Sequence, residues 1–171
     1  CVNRWPIDEQ THATKRGDYF SFAFVDNMPK FDTSEPDVME YLTDIAKHWV
    51  CDWKVDGIRF DVGNEISHAF LKHLRLELKK CNPKLFLLGE IWHDSFPWLL
   101  GDEYDSTMNY PFLACVNNFW ADKTQSGTDF MHGINQCYSM YYEQVNRVLF
   151  NLLDSHDTDR LMERCHGNAD T

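Results

Sequence analysis

The stretch "DGIRFDVGNE" at residues 56–65 determines how this chain folds. As a strand, its period-2 geometry places Arg59 and Asp61 on one face and the apolar side chains beside them on the other. A charged pair on an enclosed face must be desolvated and held by partners, so it more often marks a functional site than ordinary packing. Taken alone, the stretch leaves a buried structural ion pair as the alternative.

Two later stretches share this design, "LLGEIWH" at residues 87–93 and "FNLLDSHD" at residues 150–157. Each is a short apolar run that ends in carboxylate and imidazole groups. The apolar runs predict strands over residues 85–88 and 148–153, and a weaker strand is expected over residues 106–110.

Helical patterns separate these strands. Apolar residues recur at helical spacing at Val38, Leu42, Ile45 and Trp49, which predicts a helix that is capped by Thr33 or Ser34 and ends near residue 51. Further helices are expected over residues 67–80, 111–121 and 129–140, the last of them capped by Thr128. Strand and helix in alternation, with continuously apolar strands, are typical of parallel β/α units, whose active sites lie at the carboxyl ends of the strands. The predicted fold class is therefore α/β.

Charge and cysteine content limit the partners and the cellular compartment that we expect for this chain. The 171 residues include 27 acidic and 16 basic side chains, a net charge of −11 that disfavours nucleic acid and anionic membranes as partners. No apolar run approaches the ~18 residues of a membrane span. The six cysteines form no CxxC pair, so most of them are interpreted as small apolar residues in a reducing compartment, which favours the cytoplasm.

Three carboxylates follow the strong strands: Asp61, Glu90 and Asp157. Paired carboxylates in unequal environments suit the cleavage of glycosidic bonds, because one attacks or stabilises the anomeric carbon and the other protonates the leaving oxygen. Arg59 favours an ionised Asp61, and the apolar neighbours of Glu90 favour the protonated form that an acid needs. Arg59 and His156 interrupt the acidic residues, so neither a catalytic metal nor a cofactor is expected.

Four ordered motifs carry a family resemblance: "MPKFD", "DGIRFDVGNE", "GEIWHD" and "NLLDSHDTDR". Over about residues 19–160 the chain resembles the α-amylase superfamily of glycoside hydrolases, and within it the group of neopullulanases, cyclomaltodextrinases and maltogenic amylases. The resemblance implies a partial (β/α)8 TIM barrel that holds about strands four to seven. It also implies that residues 1–30 end a domain inserted after strand three and that residues 31–171 belong to the catalytic barrel.

The resemblance also implies roles for individual residues. Asp61 matches the nucleophile, Glu90 the general acid/base, and Asp157 the third carboxylate, which stabilises the oxocarbenium-like state. The implied substrate-binding residues are Arg59 and His156 around the scissile sugar and Glu65, Trp92 and Tyr110 on the leaving-group side. The implied partner is an α-glucan, namely a cyclodextrin, pullulan, starch or maltooligosaccharide, and the full-length enzyme is expected to be able to form a homodimer.

The chain departs from the family pattern at a few positions, and two other functions compete with the enzymatic one. Asp32, Gly63 and Asp159 stand where the group usually has Asn, Ala and Pro. A non-catalytic amylase-like protein is the alternative, although such proteins lack the carboxylates that this chain keeps. A sugar-binding module without chemistry would need aromatic residues without an acid/base pair.

Without the earlier strands, the segment alone is expected to be inactive and to associate through open strand edges.

Overall fold

The computed structural model describes residues 19–25 and 28–167. The chain divides into two compact units. The first unit comprises Cys1–Gly57 and Glu65–Leu85, and the second comprises Ile58–Asn64 and Phe86–Thr171. Most of the predicted inserted-domain segment, residues 1–30, lies outside the described residues, so that assignment stays a prediction.

The first unit is built on two helices, α1 (Pro36–Lys47) and α2 (His68–Cys81), which pack against each other. A single π-helical turn, His48–Asp52, extends α1. Pro36 begins α1, because a residue in the first turn needs no amide donor. The N-cap is Glu35 rather than the predicted Thr33 or Ser34, since Ser34 instead bonds to Asp32.

The buried stripe of α1 agrees with the predicted one at Val38 and departs from it further along the helix. Thr43 and Ala46 are buried, and so is Val50 in the π turn, whereas Trp49 is 39% exposed. Small side chains let two helix backbones approach closely, which explains why this neighbouring stripe packs and the larger Trp49 does not.

A disulfide joins Cys51 to Cys81 within the first unit. For these two residues the prediction of free apolar cysteines is therefore wrong. The end of the π turn and the end of α2 bring the two Cα atoms to 5.6 Å, inside the range that a disulfide spans. Sequence reasoning missed the pair because 30 positions separate it and no short motif marks it. Cys115, Cys137 and Cys165 are free, and the first two are buried.

The strands form a small sheet in the order β1 (Gly57–Phe60), β2 (Phe86–Gly89) and β3 (Ser106–Thr107). β2 and β3 are parallel, with Leu88 opposite Ser106. The predicted strand over residues 148–153 is reduced to one parallel bridge, between Met108 and Phe150. A cluster of buried apolar side chains covers this part of the second unit: Leu88, Met108, Tyr110, Leu113 and Leu152.

Two longer helices follow in the second unit, α3 (Tyr110–Trp120) and α4 (Gly127–Ser139), which pack together. Ser126 and Asp129 form a capping box at the start of α4, so the cap is Ser126 and not Thr128. Two short helices complete the described chain, α5 (Glu143–Asn146) and α6 (Leu161–Arg164). None of the helices in the described ranges has the length and apolar character needed to cross a membrane.

The aromatic segment before α1 forms a 3-10 turn, Phe22–Phe24, inside which Ala23 has a left-handed φ of 49°. One antiparallel bridge, between Ser21 and Pro29, closes the segment.

Candidate active site

Arg59 lies at the centre of a cluster of three carboxylates in the second unit. Its Nη1 is 2.7 Å from Asp61 Oδ1, and its Nη2 is 3.2 Å from Glu90 Oε1 and 3.9 Å from Asp157 Oδ2. The third nitrogen, Nε, donates to Met108 Sδ at 3.3 Å. Partial burial acts to lower the pKa of the Arg59 guanidinium, but the hydrogen bond to Asp61 and the charge of Glu90 together raise it. One cation therefore faces all three predicted catalytic carboxylates.

The sheet explains why Asp61 and Glu90 meet. Each follows the last residue of its strand, and the Glu90 amide donates to the Phe60 carbonyl at 2.9 Å. The Gly63 amide returns a bond of 2.9 Å to the Glu90 carbonyl. Neighbouring strands that end at the same edge bring their following side chains together.

A strained residue follows Asp61. Val62 has a φ of 47°, a left-handed conformation that β-branched residues seldom adopt and that costs on the order of 1–3 kcal/mol. In this conformation its amide points to Glu90 and donates to Oε2 at 2.9 Å. The strain is thus associated with a direct link between the two carboxylate-bearing turns.

The carboxylates have unequal surroundings. The Glu90 side chain is 7% exposed, whereas that of Asp61 is 69% exposed. Glu90 Oε1 also accepts from Trp92 Nε1 at 3.1 Å, so donors from Arg59, Val62 and Trp92 fix the Glu90 carboxyl group. The arrangement supplies one open and one enclosed carboxyl group.

The third carboxylate lies in a turn after the Phe150 bridge. Asp157 Oδ2 is 3.1 Å from His156 Nε2, and its side chain is 40% exposed. The Asp157 amide donates to the Ser155 hydroxyl at 3.1 Å. His156 and Asp157 are therefore adjacent in space as well as in sequence.

Trp92 and Tyr110 form an aromatic stack with ring centroids 4.0 Å apart and planes inclined by 9°. Trp92 is 50% exposed, whereas Tyr110 is 4% exposed. The Tyr110 hydroxyl lies 3.4 Å from the Ser155 hydroxyl. Burial is the main cause that raises the pKa of Tyr110, so the hydroxyl keeps its proton near neutral pH.

Glu65 lies in the first unit, unlike the other predicted site residues. Its carboxylate accepts two bonds from the Ala23 amide, at 3.0 and 3.1 Å, and is 2.6 Å from Lys30 Nζ. The contacts of Glu65 therefore hold the segment that precedes α1.

Two glycines allow close packing behind Glu90. A Cβ atom at Gly89 would lie 2.5 Å from the ring of Tyr104, which is 2% exposed. A Cβ atom at Gly63 would lie 3.0 Å from the Tyr104 hydroxyl oxygen, and that hydroxyl donates to the Gly63 carbonyl at 3.0 Å. Gly63, which stands where the group usually has Ala, thus lies at a point where the Tyr104 hydroxyl approaches the backbone closely.

Sequence reasoning missed Met108, Val62 and Ser155 as parts of this site. Met108 and Val62 appear as ordinary apolar residues, and nothing in their spacing shows a contact with Arg59 or Glu90. Ser155 could have been found from its position directly before His156 and Asp157. Across residues 19–25 and 28–167, no group of three or more His, Cys, Asp or Glu side chains is arranged to hold a metal ion.

Comparison with known proteins gives consistent matches. The protein-family description "Alpha amylase, catalytic domain" matches residues 3–171. A "Maltogenic alpha-amylase" of Bacillus acidopullulyticus is 45% identical over 150 residues, which are 88% of this chain and 26% of that protein. An "Intracellular maltogenic amylase" of Bacillus subtilis (strain 168) has the same identity and the same coverage.

A solved structure described as "Cyclomaltodextrinase" superposes with a TM-score of 0.85 at 43% identity, covering 88% of this chain and 26% of that one. The chain spans about a quarter of the length of these two Bacillus amylases.

Proposed function

Because this chain belongs to the family of alpha-amylase catalytic domains, we propose that it carries the catalytic carboxylates of a retaining α-glucan hydrolase or transglycosidase. The observation that supports this most strongly is the contact of Arg59 with Asp61, Glu90 and Asp157. Paired carboxylates are the groups that glycosidic bond cleavage needs.

The proposed first step joins the sugar to Asp61. A carboxylate oxygen of Asp61 attacks the anomeric carbon while Glu90 transfers its proton to the glycosidic oxygen, which leaves with the bonding electron pair. In the second step Glu90 removes a proton from water or from a sugar hydroxyl. The oxygen so activated attacks the same carbon and releases Asp61, and two inversions give net retention.

The other residues serve the charged transition state. Asp157 stabilises the oxocarbenium-like sugar, and His156, 3.1 Å from Asp157, hydrogen-bonds the sugar at the scissile position. Arg59 Nη1 donates to Asp61 Oδ1 at 2.7 Å and so holds the Asp61 carboxylate in place. On the leaving-group side, Trp92 offers a half-exposed ring for stacking, and the buried Tyr110 ring stacks against it. The role of Glu65 on that side stays a prediction.

The finer assignments are part of the same proposal. The sheet corresponds to part of a (β/α)8 barrel, with about strands four to seven on this chain, after an inserted domain that ends near residue 30. The substrates proposed are cyclodextrins, pullulan, starch and maltooligosaccharides, and a homodimer of the full-length enzyme stays a prediction.

An intracellular location is supported by the name of the Bacillus subtilis relative. In a reducing compartment the Cys51–Cys81 pair would be present as thiols.

The proposal can be tested on the full-length gene product with cyclodextrin and starch. Asp61→Asn and Glu90→Gln each remove one proposed reacting group, so each is expected to lower kcat by at least about a thousandfold. Glu143→Gln, a change of an exposed carboxylate that pairs only with Arg147 among the contacts described, is the matched control and should keep full activity. Proton NMR of the first product should show the α-anomer. Full activity in either variant, or a β-anomer first, would contradict the proposal.

A further inference from the structure

Ser155 is a buried residue that neither the motifs nor the family resemblance assigned to the site. It is 8% exposed and directly precedes His156 and Asp157. Its backbone amide donates to Thr158 Oγ1 at 2.8 Å, and the Thr158 amide donates back to its carbonyl at 3.3 Å. Ser155 is therefore fixed at both of its backbone polar groups.

The side chain of Ser155 makes two contacts, one inside this turn and one outside it. Its hydroxyl oxygen accepts from the Asp157 amide at 3.1 Å. The same oxygen lies 3.4 Å from the hydroxyl of Tyr110. The first contact holds the Asp157 amide within the turn, and the second ties the turn to the helix start at Tyr110.

Tyr110 extends this set of contacts to the proposed acid. Its ring stacks on that of Trp92, and Trp92 Nε1 donates to Glu90 Oε1. A continuous series of contacts therefore runs from Glu90 through Trp92, Tyr110 and Ser155 to Asp157. All five residues lie in the second unit.

We propose that Ser155 is a positioning residue for the third carboxylate, and that its contact with Tyr110 holds Asp157 in a fixed placement relative to Glu90. This inference rests on the proposed function. Asp157 Oδ2 is already 3.9 Å from Arg59 Nη2, at the outer limit of an ion pair, so a small movement of the turn would separate them. A displacement of ~1 Å at a reacting group can cost about a hundredfold in rate.

The test uses the full-length gene product and an aryl α-maltoside as the probe. Ser155→Ala removes the hydroxyl, and we expect kcat to fall about tenfold with KM changed less than about twofold, because the contact acts on the transition state. Ser155→Thr keeps the oxygen and should restore most of kcat. Tyr110→Phe keeps the stack and removes the 3.4 Å contact with the Ser155 hydroxyl, so a loss of about threefold in kcat is expected on the aryl α-maltoside.

Two further measurements separate positioning from general damage to the fold. Ser139→Ala, which removes an exposed hydroxyl bonded only to Gln136 among the contacts described, is the matched control. The melting temperature is recorded for every variant. If Ser155→Ala does not fold, Tyr110→Phe carries the test, and unchanged kcat in that folded variant overturns the inference.

The outcomes are distinct. Unchanged kcat in Ser155→Ala and Tyr110→Phe, with an active wild type that Asp61→Asn inactivates, would overturn this inference and leave the proposed function intact. A loss that Ser155→Thr does not restore, or one seen only in KM, would also overturn it. A folded wild type that is inactive on every α-glucan would overturn both.

Discussion

At the scale of single residues, Arg59 has the largest share of the site's contacts. Its planar guanidinium presents five N–H groups in a fixed fork, which lets one side chain face Asp61, Glu90 and Asp157 in different directions. A lysine carries the same charge at a single point and cannot reproduce that spread.

This gives a prediction for Arg59→Lys. Charge is kept but the fork is lost, so we expect kcat to fall by about a hundredfold, as for other losses of transition-state placement. Arg147→Lys, in an exposed pair with Glu143, is the matched control and should leave kcat unchanged. Steady-state kinetics on cyclodextrin measures both. If the lysine variant keeps wild-type kcat, the cation matters only as a charge, and the geometry of its three contacts is irrelevant to the rate.

At the scale of elements, the carboxyl end of β2 depends on the lack of a side chain at Gly89. In Gly89→Ala the new Cβ would lie 2.5 Å from the buried Tyr104 ring, so strand or ring must move. Such overpacking typically costs about 1–3 kcal/mol, and the movement would displace the adjacent Glu90.

The expected result for Gly89→Ala is therefore a lower free energy of unfolding together with lower kcat. Gly127→Ala at the start of α4, where no atom lies within 4 Å of the new Cβ, is the control and should be near neutral. Urea unfolding and kinetics on the full-length gene product provide the measurements. Equal stability of the two alanine variants would show that Tyr104 does not pack closely against Gly89.

The disulfide links the ends of α1 and α2 around the segment that contains β1 and Asp61. Closing a loop of 30 residues is expected to stabilise the folded state by about 3–4 kcal/mol in the loop-entropy account. Cys51→Ser should lose that amount in protein purified without reductant, and Cys165→Ser, a change of a free cysteine, should not. Addition of a reductant should destabilise the wild type and leave Cys51→Ser unaffected. A wild type insensitive to reductant would mean that the pair is not bonded in solution.

At the scale of the whole molecule, sequence patterns predicted the four long helices and the three strands β1, β2 and β3 to within a few residues, because hydrophobic periodicity and helix breakers are local. The same patterns did not predict features that depend on tertiary contacts. Val50 is buried instead of Trp49 because of how the helices pack. The Cys51–Cys81 bond forms because the end of the π turn and the end of α2, which are distant in sequence, lie close together. In the described part of the chain, the strand expected near Phe150 is reduced to one bridge, between Met108 and Phe150.

In the candidate site, too, sequence patterns predicted residue types but not tertiary contacts. The carboxylates were named from their motifs, because their chemistry shows in residue type and strand-end position. The contacts of Ser155 and Met108 could not be predicted, because they depend on which turns meet in space. The role of Glu65 on the leaving-group side stays a prediction, and the described contacts of its carboxylate are with Ala23 and Lys30, in the segment before α1.

The proposed mechanism requires a covalent bond between Asp61 and the sugar, and trapping that bond is its sharpest test. A 2-deoxy-2-fluoro α-maltosyl fluoride slows both steps through the fluorine at C2, while fluoride leaves C1 readily, so the glycosyl-enzyme accumulates. Mass spectrometry of peptides from the full-length gene product should find the glycosyl group on Asp61, with Asp61→Asn as the control that takes up no label. A label on Glu90 or Asp157, or turnover to a β-anomer with no labelled peptide, would contradict this mechanism.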